Sequence, residues 1–108
     1  MMGRIMILLT CLLCFVAIPM LSAVDKERSY TPKEGFVPDE GTAIAIAEAV
    51  LIPIYGRKKV ESERPYHVKL DSDVWVVGGS LPQGRVGGVA IIKISKRDGR
   101  ILYVNHGK

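Results

Sequence analysis

Cysteine does not occur beyond Cys14, and histidine occurs only as His67 and His106. The first absence removes thiol nucleophiles and thiolate metal sites from everything after the amino-terminal stretch. No disulfide can staple the fold, so packing alone must hold it. Two imidazoles are too few for a histidine-rich metal site, although with an aspartate they could in principle complete one. Aromatic residues are sparse as well, at 6% of the chain with a single tryptophan. The basic clusters Arg57-Lys58-Lys59 and Lys93, Lys96, Arg97, Arg100 have only Tyr55 and Tyr103 beside them. A nucleic-acid surface interleaves basic and aromatic side chains, so no nucleic-acid partner is expected. These charges read first as solvated loop charge, with an acidic patch on a protein partner as the functional alternative.

The usual catalytic signatures are also missing. Residues 78–88 hold five glycines, but a phosphate-binding loop leads into a helix and this stretch leads into a strand. It reads instead as a flexible strand connection, and such a loop is a reasonable binding surface. Ser80, His106 and Asp73 can be drawn as a triad, yet Ser80 lacks the GxSxG elbow and the three are scattered over turns. Asp71 with Asp73 reads as a turn, and Asp39 with Glu40 as a helix start, which leaves no carboxylate dyad. An enzyme would need a buried acid in an apolar pocket. Every acid beyond residue 23 except Glu48 reads as lying in a turn, link or helix start, and Glu48 falls on the polar side of its helix. The sequence predicts no catalytic, metal or cofactor-binding residue and no cofactor.

What is present begins with a processing segment. Arg4 precedes an apolar run over residues 5–18, Pro19 breaks it, and Ser22-Ala23 offers a cleavage site before the charged Asp25-Lys26-Glu27-Arg28. Residues 1–23 therefore read as a signal peptide, with an uncleaved inner-membrane anchor as the competitor, and the remainder is expected in the periplasm or secreted. Without Arg4 the chain keeps 14 Lys and Arg against 11 Asp and Glu, a net charge of +3. The 85 or so residues left suffice for one modest core and not for two domains.

Residues 24–37 are polar, contain Pro32 and Gly35, and read as an extended lead whose Tyr30 and Phe36 could dock on the body. Residues 38–108 form the domain. Asp39 is placed to cap a helix over residues 40–55, where Ala43, Ile46, Ala47, Val50 and Ile54 recur at helical spacing, widened by Ile44 and Leu51. Pro53 should kink or end its last turn, and Gly56 is placed to close it. A charged link follows over residues 57–64. Tyr66, Val68 and Leu70 alternate with His67 and Lys69 as an edge strand, and residues 74–77 form a buried strand anchored by Trp75. Residues 87–106 read as a hairpin turning at Asp98-Gly99, with Ala90, Ile92 and Ile94 on one face of its first arm. That arm is expected to begin deeply buried and to emerge at the turn. The architecture is α+β: one main helix packed on a curved antiparallel sheet of about four strands.

The order of a helix ending PIYG at residues 53–56, Pro65-Tyr66, DxWVVxGxLP at 73–82, and GGVAIIKISKRDGRIL running on to His106-Gly107-Lys108 resembles the bacterial immunity-protein family with a nuclear-transport-factor-2-like, cone-type fold. The resemblance spans residues 37–108. It implies a non-enzymatic protein that neutralises a cognate bacterial toxin by direct binding. The motif positions it carries over are Trp75, Gly78, Leu81, Pro82, Gly87, Gly88, Gly99 and His106, several of them structural in character. Larger relatives of this fold enclose a pocket with several helices, whereas one helix is expected here. The closing hairpin is also similar to small exported domains that restrain peptidases, so a peptidase inhibitor is the second expectation. A small-ligand-binding or enzymatic cone-fold protein is the third. For partner binding the sequence directs attention to Ser80, Gln83 and Arg85 in the loop and to the basic Lys93, Arg97 and Arg100.

Overall fold

The computed structural model describes residues 29–108. The chain divides into a unit ending at Thr31 and a second spanning Pro32–Lys108, and the second is described here by itself. The apolar run and the cleavage site expected near Ala23 lie outside the described residues, among which no helix is long and apolar enough to cross a membrane.

Helix α1 occupies Glu40–Tyr55, and its first turn is closed by Asp39, whose carboxylate accepts from the Thr42 backbone N–H at 2.8 Å and from its hydroxyl at 2.7 Å. Both bonds hold the Asp39 carboxyl below the ordinary carboxylate range. Ala43, Ala47 and Leu51 form its buried stripe, with no side-chain exposure. Two alanines in that stripe let the helix axis approach the sheet closely. Ile54, on the same stripe, is nevertheless 55% exposed. Pro53 lies within the helix and does not end it. The carbonyl it leaves unpaired belongs to Ala49, on the exposed side, where water can take the bond. The Gly56 N–H then reaches back to the Ile52 carbonyl at 2.8 Å.

The expected charged link is instead mostly a second helix, α2, over Arg57–Ser62. Its one buried residue is Val60, so the segment has no apolar period to announce it. Strands β1 (His67–Asp71), β2 (Val74–Gly78), β3 (Ala90–Ser95) and β4 (Ile101–His106) form one antiparallel sheet in the order β1-β2-β3-β4. The edge strand starts two residues later than Pro65, at His67, because Tyr66 turns inward and donates its hydroxyl to the Val60 carbonyl at 2.9 Å. Burial and the neighbouring Glu63 and Glu48 charges push the Tyr66 phenol up to about 12.

Register explains the core. Ile92 pairs with Val77 and Val104, and Ile94 with Trp75 and Ile101, which puts these side chains on the face covered by α1. Ala90, Ile92 and Ile94 are at most 1% exposed while Ile91 and Lys93 are exposed, so the first hairpin arm is buried on one face along its length and does not pass from deep burial to emergence at the turn. Each fully buried isoleucine contributes roughly 1.5–3 kcal/mol of transfer free energy. The register shifts between Lys93 and Ile94, which pair with Tyr103 and Ile101 and leave Leu102 as the extra residue of a bulge in β4. Among the described residues no helix covers the sheet's other face, which carries Val76, Ile91, Lys93 and Tyr103, and Lys93 Nζ sits 5.3 Å above the Tyr103 ring.

The lead segment joins the sheet through its backbone and not through its aromatics. Phe36 and Val37 donate N–H bonds to the Arg97 and Lys96 carbonyls, and the Trp75 indole donates to the Val37 carbonyl at 2.8 Å. Val37 is fully buried, whereas Tyr30 and Phe36 remain exposed.

Candidate functional site

Helix α2 delivers the one buried acid among the described residues, Glu63, immediately after its last turn. The sequence puts Glu63 in the charged link and predicts no buried acid; the residue does lie in that link, but its side chain is 2% exposed. Oε1 accepts from the Ala90 backbone N–H at 2.7 Å, and Oε2 lies 2.8 Å from His106 Nε2. The Glu63 carbonyl accepts from the Ser80 N–H at 2.7 Å. One residue thus ties α2 to the loop after β2, to the start of β3 and to the end of β4. Glu48 is also less free than its helix position implies, because Arg64 grips both its oxygens at 2.6 and 3.0 Å. That grip holds the Glu48 carboxyl low.

His106 is fixed from three sides. Its Nδ1 lies 2.7 Å from the Gly107 carbonyl, Nε2 faces Glu63, and its ring centroid is 5.2 Å from that of Tyr55 on α1. Both of its nitrogens face acceptors. Both contacts are hydrogen bonds when the pair carries one proton between Nε2 and Oε2, as imidazolium–carboxylate or as the neutral equivalent.

Two glycines make room for this cluster. A Cβ on Gly79 would lie 2.6 Å from Glu63 Oε1, and one on Gly88 would collide with the Gly107 backbone. Gly88 is among the motif residues named from the sequence. Gly79 is not, and its neighbour Gly78, which is, has only the Ala90 carbonyl oxygen near a Cβ, at 4.0 Å.

Over Glu63 and His106 opens a recess of about 370 Å³ between α2 and the loop over residues 79–89. Lys59, Arg85 and Lys108 stand around it, together with Leu81 and Val86, which are 43% and 101% exposed. A neighbouring depression shares Lys59, Ser62 and Arg85 and adds Tyr55 and Lys58. Among the described residues no group of three or more acids, histidines or cysteines could hold a metal ion.

The residues singled out from the sequence do not form one surface. Gln83 and Arg85 are exposed in the loop beside the recess, while Ser80 turns inward and bonds the Pro65 carbonyl at 2.5 Å and His67 Nε2 at 2.8 Å. Arg97 and Arg100 lie at the opposite end of β3, near the hairpin turn, because Gly78 pairs with Ile91 and Val74 with Ser95. The six residues of β3 separate these groups by roughly 17–20 Å. Lys93 is on the uncovered sheet face between them. At the turn end, Arg97 shares a smaller recess with Lys33, Glu34, Asp73 and Lys96, so charge there is mixed.

The Ser–His–Asp arrangement drawn from the sequence does not assemble. Asp73 precedes β2 and Ser80 follows it, while His106 pairs with Glu63. The histidine that does reach Ser80 is His67. The hydroxyl donates to the Pro65 carbonyl, so it accepts from the imidazole and is not poised to lose its proton to it.

The sequence was then compared with known proteins. It is 35% identical over 96 residues to "Uncharacterized protein YhhH" of Escherichia coli (strain K12), covering 88% of this chain and 75% of that one. It is 41% identical over 73 residues to "Uncharacterized protein YbbC" of the same strain, covering 67% of this chain and 60% of the relative's length. No solved structure matches. The model of the NTF2 fold immunity protein family matches residues 42–108, which take in nearly all of α1, then α2 and the whole sheet. With a helix on an open four-stranded antiparallel sheet, and a match covering most of the chain, this protein belongs to the NTF2 fold immunity protein family.

Proposed function

We propose that this protein is an exported immunity protein that neutralises a cognate bacterial toxin by binding it directly and performs no chemistry of its own. Membership of the immunity family over residues 42–108 carries the reading. The site's geometry supports it: both Glu63 oxygens and both His106 nitrogens are occupied by internal partners, as a structural tie requires. Exposed aliphatic and cationic side chains beside the recess are the kind of surface a protein partner covers. The apolar amino-terminal run supports an encounter outside the cytoplasm, in the periplasm or beyond.

The test is co-expression. Open reading frames flanking this gene are expressed singly in a susceptible host, exported, with and without the full chain. The expected result is one product that arrests growth alone, is harmless with this protein present, and forms a complex with it when both are purified. A toxin that this protein destroys or modifies would overturn the binding reading, and an inhibited peptidase would move the protein to the inhibitor class.

A further inference from the structure

Charge is distributed unevenly along the sheet axis. Asp39, Glu40, Asp71, Asp73 and Asp98 flank the end that holds the hairpin turn and the start of α1, and Glu34 joins Lys96 there. At the recess end the acids are consumed internally: Glu63 by His106 and Ala90, Glu61 by Arg64. The cations there are not. Lys58, Arg85 and Lys108 make no ion pair among the described residues, and Lys59 reaches Glu63 only at 4.0 Å. The recess thus has a neutralised floor and a basic rim, with Leu81 and Val86 exposed next to the cations.

We infer that the cleft between α2 and the loop over residues 79–89 receives a short acidic segment of the toxin, with carboxylates against Lys58, Lys59, Arg85 and Lys108 and aliphatic side chains against Leu81 and Val86. The inference rests on the immunity reading and specifies its contact surface. Complementary charge explains the choice of occupant: an acidic segment gains from four cations that have no better partner in the fold. The opposite end offers no comparable excess, since Lys33, Lys96 and Arg97 stand there among Glu34 and Asp73. Exposed aliphatic groups among the cations favour a peptide over a bare anion, which would leave them uncovered. Helix α2 enters this surface beside the loop, where Ser80, Gln83 and Arg85 were singled out from the sequence and Ser80 proves to turn inward.

The probe is a capped hexapeptide of alternating leucine and glutamate, titrated into the full ¹⁵N-labelled chain beside its glutamine counterpart, inorganic phosphate and a single-stranded oligodeoxynucleotide. Saturable shifts confined to α2, the 79–89 loop and His106, produced by the glutamate peptide and not the glutamine one, are expected. The double substitution Lys58→Glu/Arg85→Glu touches no internal ion pair, so the melting curve should stay unchanged while affinity falls about tenfold or more. Equal response to both peptides, an unaltered double variant, or tighter binding of phosphate or the oligonucleotide at these residues overturns the proposal. The co-expression assay separates the two claims. If the wild type protects and K58E/R85E protects equally, the cleft is not the toxin site and the immunity reading stands. If the wild type fails to protect, that reading falls and the peptide titration alone decides the cleft.

Discussion

Glu63 holds more of this molecule together than any other polar residue. Its carboxylate satisfies a buried backbone donor at Ala90 and a part-buried imidazole at His106. Removing one member of a buried charged pair typically costs about 3–5 kcal/mol, against roughly 5–15 kcal/mol for a whole domain. Glu63→Ala should therefore leave the protein largely unfolded or shift its denaturation midpoint sharply downward. Glu63→Gln, whose amide oxygen still accepts from Ala90, should lose clearly less. Chemical denaturation of the three proteins checks this, and an alanine variant within about 1 kcal/mol of wild type would contradict it. Sequence gave little access to this residue. It sits at the end of a run of charged side chains, where solvation is the ordinary expectation, and its imidazole partner lies 43 positions away. The only legible sign was indirect: a glycine pair at 78–79, of which one member makes room for a carboxylate.

At the scale of elements, patterns with a short period were readable and those depending on distant contacts were not. The span of α1, its cap at Asp39 and its closure at Gly56 follow from local chemistry, as does the alternation that buries Ala90, Ile92 and Ile94. Helix α2 was hidden because six residues with one buried valine carry no periodicity. The docking of the lead was hidden because it uses main-chain bonds, which side-chain identity does not encode. The cap yields a prediction with a sign. Folding lowers the Asp39 carboxyl below its unfolded value, so its contribution is complete above the ordinary aspartate range and disappears as pH falls through the folded value. Asp39→Ala should melt below wild type at neutral pH, and the gap should narrow as pH falls below the ordinary aspartate range. Glu48, held low by Arg64, weakens both proteins alike on acidification and cancels from the difference. A gap that persists unchanged at low pH would mean that Asp39 acts through something other than its charge.

For the whole molecule, the family and the fold class were legible from order and spacing, whereas the grouping of surface charge was not, because register decides which ends of the strands meet. The segment before residue 24 adds a prediction at this scale. Expression of the full chain in a bacterial host should give an extracytoplasmic product whose intact mass corresponds to a start at Val24. A product retaining Met1 in the membrane fraction would establish the anchored form, and one in the cytoplasm would remove the exported reading altogether.

The Ala90 amide proton has a consequence for measurement. It points at a carboxylate carried by one segment, belongs to a second, and that carboxylate is held in turn by an imidazole from a third. The bond is buried and joins parts distant in the chain, so its deuterium exchange is expected to need the cooperative opening of the domain. That single resonance, followed in D₂O, would report global stability without any denaturant, and a ligand that binds only the folded protein should lower its exchange rate in proportion to the fraction of protein left unoccupied.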